Sequence, residues 1–177
     1  MISKDLIREA SANASKAHRD VNHLYGSNEP YSYHLNSVYS YVLKYAHLLD
    51  NEDDVIYASA AAWTHDLIED TRMTYNNVRD AFGERIADIT YALTNEKGKT
   101  RKERANFKYY EGIRNCHLAT FVKICDRLAN TRYSYENNSS MLNKYKSEHD
   151  EFENELFQQK YKTMFQELDS LLGFNTI

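Results

Sequence analysis

The segment His65-Asp66-Leu67-Ile68-Glu69-Asp70-Thr71 places four side chains that bind metals or move protons within six consecutive residues. At helical spacing Glu69 follows His65 by one turn and Asp70 follows Asp66 by one turn, so each pair shares a face. Three carboxylates packed this closely repel one another unless positive charge sits among them. A divalent cation meets that need, because imidazole nitrogen and carboxylate oxygen together suit Mn, Fe, Co or Zn.

Two further residues extend the set: His34, in Pro30-Tyr31-Ser32-Tyr33-His34, and Asp126, in Val122-Lys123-Ile124-Cys125-Asp126-Arg127-Leu128-Ala129-Asn130. Both fall in helix-like stretches. His34, His65, Asp66 and Asp126 would balance a divalent charge and leave positions open for water and substrate, as in catalytic rather than structural sites. Such an ion lowers the pKa of bound water and offsets charge on a phosphate oxygen. Glu69 and Asp70 would then orient or deprotonate that water and protonate the leaving group. Taken singly, each residue has a plainer role: His34 as a hydrogen-bonding residue at a helix start, His65-Asp66 as a helix end, Asp126 as half of an ion pair.

The order His…His-Asp…Asp resembles the HD superfamily of metal-dependent phosphohydrolases. The extended forms, His-Asp-x-x-Glu-Asp-Thr and Val-Lys-x-x-Asp-Arg-Leu-x-Asn, are similar to the hydrolase domain of RelA/SpoT enzymes, and above all to stand-alone small alarmone hydrolases. The resemblance runs from about Ala17 to Arg132. It implies a compact all-α bundle, manganese held by His34, His65, Asp66 and Asp126, and catalytic work by Glu69 and Asp70. It implies removal of the 3′-pyrophosphate from guanosine tetra- or pentaphosphate.

The resemblance also suggests the substrate contacts. Lys97, Lys99, Arg101, Lys102, Arg104, Lys108 and Arg114 crowd a segment whose acids are Glu96, Glu103 and Glu111. That local excess suits a polyphosphate, with a solvated helix face as the rival account. Thr94-Asn95-Glu96-Lys97 and Arg101-Lys102 look like the family's Thr-Asp-Asp-Lys turn and the basic helix after it, so Lys97 and Arg101 are candidate phosphate contacts. Asn130 matches the family asparagine that contacts the nucleoside, and Arg132 continues the family's Asn-x-Arg. Where the family carries an Arg-Lys pair whose Arg stacks on guanine, this chain has His23-Leu24, which keeps a ring but loses the planar cationic fork. Leu35 replaces a usual Pro and Thr64 a common Leu.

At 177 residues with 42% hydrophobic and 27% charged residues, one globular domain over 1–177 is expected. Net charge −4 argues against general nucleic-acid binding. Cys116 and Cys125 are too few for a disulfide framework and fit a reducing cytoplasm. The start Met1-Ile2-Ser3-Lys4-Asp5-Leu6-Ile7-Arg8 has no long apolar run, so neither a secretion signal nor membrane attachment is expected. The fifteen Tyr can line a nucleotide pocket or serve as half-buried core residues.

No stretch reads as a strand, and scarce Pro and Gly suit a helical bundle of about eight helices. The first helix is expected over Lys4–Leu24 and a loop over Tyr25–Pro30. A second helix is opened by His34, and a third, capped by Asn51, carries Ala58-Ser59-Ala60-Ala61-Ala62-Trp63. Small residues on all sides of that third helix make it central, so the His65-Asp66 pair sits at the end of the most buried element. A short helix from Thr74 to Gly83, another from Glu84 to Leu93, and a loop at Asn95–Lys99 follow. A polar helix is expected over Thr100–Ile113 and an apolar one over His117–Asn130. One long helix is expected over Asn143–Leu172, completing the core or making a dimer contact, with Gly173 as its cap.

These observations predict a cytoplasmic manganese-dependent nucleotide pyrophosphohydrolase, monomer or homodimer. The alternatives are an HD phosphohydrolase acting on another nucleotide (NADPH-type 2′- or 3′-phosphate, deoxynucleotide or cyclic nucleotide) and a non-catalytic nucleotide sensor. Intact Glu69-Asp70 argues against the sensor.

Overall fold

A computed structural model describes residues 5–174 of the chain. Helix α1 (Asp5–Asp20) begins the described chain; Lys4, where the sequence starts this helix, lies outside the described residues. The helix stops short of Leu24. His23 N–H closes back on the His18 carbonyl at 3.0 Å, and Asn22 takes φ +54°, a left-handed turn that Asn tolerates better than most residues. The expected loop is instead a small antiparallel hairpin, β1 (Leu24–Tyr25) and β2 (Glu29–Pro30), paired Leu24 with Pro30 and Tyr25 with Glu29. Gly26 makes it possible: φ is +57°, and a Cβ there would lie 1.9 Å from the Tyr133 hydroxyl. Two residues per strand leave almost no period-two pattern to read.

Helix α2 (Ser32–Lys44) carries His34 in its first turn. Helix α3 (Glu52–Thr64) is capped by the Asn51 side chain, which accepts from Asp54 N–H at 2.9 Å. It is the central element. Ala58, Ala61 and Ala62 face one apolar cluster, while Ala60 and Trp63 face a second. Methyl-sized side chains let neighbours approach on both sides, and Tyr39 and Tyr57 bridge the two clusters. The Thr64 hydroxyl meets Thr90 at 2.8 Å in the interior, so the polar residue that replaces the common Leu is satisfied.

Helix α4 (Leu67–Asp70) is a single turn after His65-Asp66. Helix α5 (Tyr75–Phe82) opens with a capping box between Thr74 and Asn77, and α6 (Glu84–Leu93) follows Gly83. The expected polar helix is broken into α7 (Arg101–Arg104) and α8 (Phe107–Asn115). The break follows from a competing start signal: the Asn106 side chain accepts from Tyr109 N–H at 3.1 Å and caps α8. Helix α9 (Ala119–Glu136) crosses the core and carries Asp126, Arg127 and Asn130.

The expected long C-terminal helix is two elements, α10 (Met141–Leu156) and α11 (Lys162–Leu172), parted by extended backbone at Phe157 and a 3-10 turn. Both pack on α9. Folding back brings Phe152 within 6.0 Å and Phe157 within 5.5 Å of Phe165, measured between ring centroids. No Gly or Pro marks this break; the burial gained by the return decides it. Gly173 caps α11 at φ +75°. On α11, Glu167 gathers Tyr41, Tyr45, Lys44 and Arg132, which ties α11 to α2 and α9. Arg132 is therefore a structural cation. Among the described residues no helix is long and apolar enough to cross a membrane.

Candidate active site

Four elements deliver the four expected ligands to one point. His34 Nε2 lies 3.2 Å from Asp126 Oδ1 and 3.8 Å from Asp66 Oδ2; His65 Nε2 lies 2.8 Å from Asp66 Oδ2 and 3.8 Å from Asp126 Oδ1. His34 and His65 are buried and the two carboxylates nearly so. His34, His65 and Asp66 present ligand atoms within 4.8 Å of one another.

The chemistry of this donor set fits a divalent cation. His65 Nδ1 faces the Ala62 carbonyl at 2.9 Å. With the ring proton on that nitrogen, Nε2 turns its lone pair into the cluster 2.8 Å from Asp66 Oδ2, an approach that only a cation or a proton between the two atoms makes favourable. Burial would lower the pKa of His65, yet the Asp66 and Asp126 carboxylates raise it to about 9. The cluster thus favours positive charge at its centre. Tyr31 donates to Asp66 Oδ2 at 2.5 Å. Lys123 donates to Asp126 Oδ2 at 2.9 Å and Asn130 to Asp126 Oδ1 at 2.6 Å. These bonds fix the carboxylates' orientation, and Lys123 with the histidines holds Asp126 well below the usual carboxylate range despite its burial.

The ligands open into a cavity of about 480 Å³, large enough for a nucleotide. Glu69 and Asp70 line it. Burial first, then the charges of Asp66 and Glu69, push the Asp70 carboxyl up to about 7. Both oxygens of Glu69 accept from Asn95, from the side-chain amide at 2.7 Å and from the backbone N–H at 3.1 Å. Arg101, Lys102, Arg104, Lys123 and Arg127 also line the cavity and supply positive charge.

The candidate substrate residues are placed unequally. Asn130 lines the cavity and accepts from the Tyr25 hydroxyl at 2.9 Å. Arg101 lines it while paired with Glu148 at 2.8 and 3.1 Å. Lys97 is exposed and is not among the lining residues, whereas Arg104, from the same basic segment, lines the wall with its Nε buried and without a hydrogen-bond partner. His23 stacks on Tyr31 at 3.9 Å between centroids, and its Nδ1 stands 4.0 Å from Asp70 Oδ2. It sits beside Asp70 and is not among the residues that line the cavity.

Sequence reasoning missed Asn95, Tyr31 and the α10 wall, where Tyr145 and Glu148 line the cavity. Glu148 accepts from both Arg101 and Arg127. Nothing local marks α10 as part of a site, since its contribution depends on its packing against α8 and α9. The acids of Asn95's own turn and the basic residues after it were visible; the direction of the Asn95 side chain was not.

A neighbouring histidine yields a test of stability. His18 is stacked on Tyr31 at 4.3 Å and buried, and burial lowers its pKa from 6.5 to about 4. The unfolded chain therefore binds a proton that the folded chain refuses between these values, so stability rises with pH from about 4 to 6.5 and is lost on acidification. With allowance for solvent screening the contribution is on the order of 2 kcal/mol. Urea denaturation of His18→Gln with a chelator present should show a flatter pH dependence across that window; an unchanged slope would rule out a neutral buried His18.

No family model matches the chain. Over 121 residues, 67% of this chain, it is 29% identical to the guanosine-3′,5′-bis(diphosphate) 3′-pyrophosphohydrolase MESH1 of Danio rerio, of which the match spans 63%. It is 27% identical over 129 residues to the MESH1 of Xenopus tropicalis. It is 35% identical over 112 residues to the guanosine-3′,5′-bis(diphosphate) 3′-pyrophosphohydrolase of Aquifex aeolicus, where the match covers 14% of that longer protein. A solved structure of a metazoan ortholog of SpoT, described as hydrolyzing ppGpp, superposes over 98% of this chain and 97% of its own, with TM-score 0.75 at 19% identity. That likeness extends the shared fold through the C-terminal helices beyond the motif-bearing part. The chain thus has the all-α fold of that solved structure, and over about two thirds of its length it is similar in sequence to guanosine-3′,5′-bis(diphosphate) 3′-pyrophosphohydrolases of the MESH1 type, spanning less than two thirds of the Danio rerio protein.

Proposed function

We propose that this chain is a manganese-dependent guanosine-3′,5′-bis(diphosphate) 3′-pyrophosphohydrolase acting as one HD domain. The observation that carries the reading is the convergence of two imidazoles and two carboxylates at the floor of a cavity whose walls hold an acid–base pair and a set of cations. Homology to proteins of that name supports the substrate class.

His34, His65, Asp66 and Asp126 would hold the ion. When bound, it supplies Lewis acidity toward a phosphate oxygen and makes a coordinated water more acidic. Arg101, Lys102, Arg104 and Arg127 offset the charge of the substrate's phosphates, the forked guanidinium groups of the three arginines matching phosphate oxygens. Glu69, turned by Asn95, takes the proton of the attacking water. Asp70, with its carboxyl near 7, returns a proton to the 3′-oxygen as the oxygen–phosphorus bond breaks. The products are pyrophosphate and a nucleoside 3′-hydroxyl. Asn130, which lines the cavity with its side-chain oxygen held by the Tyr25 hydroxyl, would meet the nucleoside.

His23 favours a broader second reading, in which other purine nucleotides with a 3′-phosphate or 3′-pyrophosphate are also substrates. Its ring is already occupied by Tyr31 and by His18, whose Nδ1 lies 3.0 Å away. A panel of guanosine and adenosine tetraphosphates, cyclic nucleotides and 5′-only nucleotides with Mn²⁺, with phosphate and pyrophosphate measured separately, tests both readings. Pyrophosphate release from guanosine tetraphosphate is expected, with weak discrimination against adenosine. His23→Arg should lower KM for guanosine tetraphosphate about threefold or more, since Arg adds permanent charge and a stacking plane. Activity confined to cyclic or 5′-only nucleotides would overturn the proposal, and tight binding without turnover would make the chain a sensor.

A further inference from the structure

We propose that Asn95 is the positioning residue for Glu69, and that its paired bonds couple the cationic loop of the cavity to the acid–base pair. The inference rests on the pyrophosphohydrolase reading for its kinetic consequence only. Glu69 sits on the single helical turn α4, and a lone turn is a weak scaffold for a carboxylate. Asn95 corrects this by gripping both oxygens, one with its side-chain amide and one with its backbone N–H. Two bonds from one residue fix the rotation of the carboxylate as well as its position.

The gripping residue begins a loop that braces itself. Glu96 N–H donates to the Arg104 carbonyl at 3.1 Å, closing the segment at its base. Thr100 and Glu103 form a capping box, and the Glu103 carboxylate also accepts from Lys99 N–H at 2.7 Å. Gly98 lies so close to this turn that a Cβ would stand 2.6 Å from Glu103 Cβ. The loop is therefore a unit, and it carries Arg101, Lys102 and Arg104 to the cavity. Any displacement of this unit by phosphates on its cations is transmitted to Glu69 through Asn95.

Amide hydrogen exchange tests the grip without reference to activity. In Glu69→Ala the Asn95 amide loses its acceptor, and its exchange should accelerate at least tenfold; unchanged exchange would overturn the proposal. Steady-state kinetics test the consequence. Asn95→Ala and the isosteric Asn95→Asp should each lower kcat for guanosine tetraphosphate at least tenfold, with KM within twofold and bound Mn²⁺ unchanged. Space-filling alone would be rescued by Asp, which has the shape of Asn but no amide donor. Wild-type kcat in Asn95→Asp, or a loss confined to KM, would overturn the positioning role. Failure of the wild type on every nucleotide would instead remove the pyrophosphohydrolase reading, while hydrogen exchange still decides whether Asn95 holds Glu69.

Discussion

Replacing Glu69 by Gln is expected to leave the metal in place and lower turnover about a hundredfold or more, the usual loss for a missing acid–base group. Glu69 touches none of the four ligands through any bond described above; its carboxylate is spent on Asn95. The amide keeps the shape and one acceptor, so the fold and the cavity should persist. What disappears is the ability to accept a proton. Asp70→Asn should have a loss of similar size for a complementary reason. Burial and two neighbouring carboxylates push Asp70 to about 7, where it can hold and release a proton, whereas an amide cannot. Metal content by elemental analysis and kcat on guanosine tetraphosphate together check both variants. Unchanged turnover in both would remove the assigned acid–base chemistry even if the metal centre stands.

The difference between Glu69 and Asn95 also shows which parts of this protein can be read without coordinates. His65, Asp66, Glu69 and Asp70 declare themselves because helical periodicity and chemical type suffice to set them on neighbouring faces. His34 and Asp126 needed one further step, their order along the chain and the motifs around them. The all-α class followed from periodic apolar stripes, and α3 was recognisable as the central helix because its alanines leave no other use for it. Asn95, Tyr31 and Glu148 were not legible. Each acts across a contact between elements distant in sequence, and Asn, Tyr and Glu in such segments are indistinguishable from solvated residues.

The misread boundaries have the same origin. Periodicity continues across Phe157 because both α10 and α11 present apolar faces to α9, so the sequence pattern cannot register that the chain turns between them. Glu148 reaches Arg101 and Arg127 from α10, whose place beside α8 and α9 is set by packing rather than by local pattern. The hairpin at Leu24–Pro30 is similar: its anchor is the Tyr25 bond to Asn130, a partner far along the chain. Lys97 illustrates the converse, a residue chosen for charge within a motif that leaves it facing solvent.

Asp66→Asn and Asp126→Asn should each remove most of the bound divalent ion, and with it nearly all activity. A neutral amide is a much poorer ligand than a carboxylate for Mn²⁺ and similar ions. The two variants also break different supports. At position 66 the substitution disturbs the acceptor held by Tyr31 and faced by His65 at 2.8 Å. At position 126 it removes the counter-charge of Lys123, leaving a half-buried ammonium close to the two histidines. Asp126→Asn should therefore be the more destabilised protein, because breaking a buried pair costs on the order of 3 kcal/mol while its surviving partner stays charged. Asp66→Asn leaves behind the neutral Tyr31 and a His65 that, without the carboxylate, can give up its proton. Elemental analysis reads the metal and chemical denaturation reads the stability. Full loading of either variant would place the metal elsewhere. Equal stability of the two would mean that Lys123 is not held in charge by Asp126, and the second support of that ligand would have to come from another group.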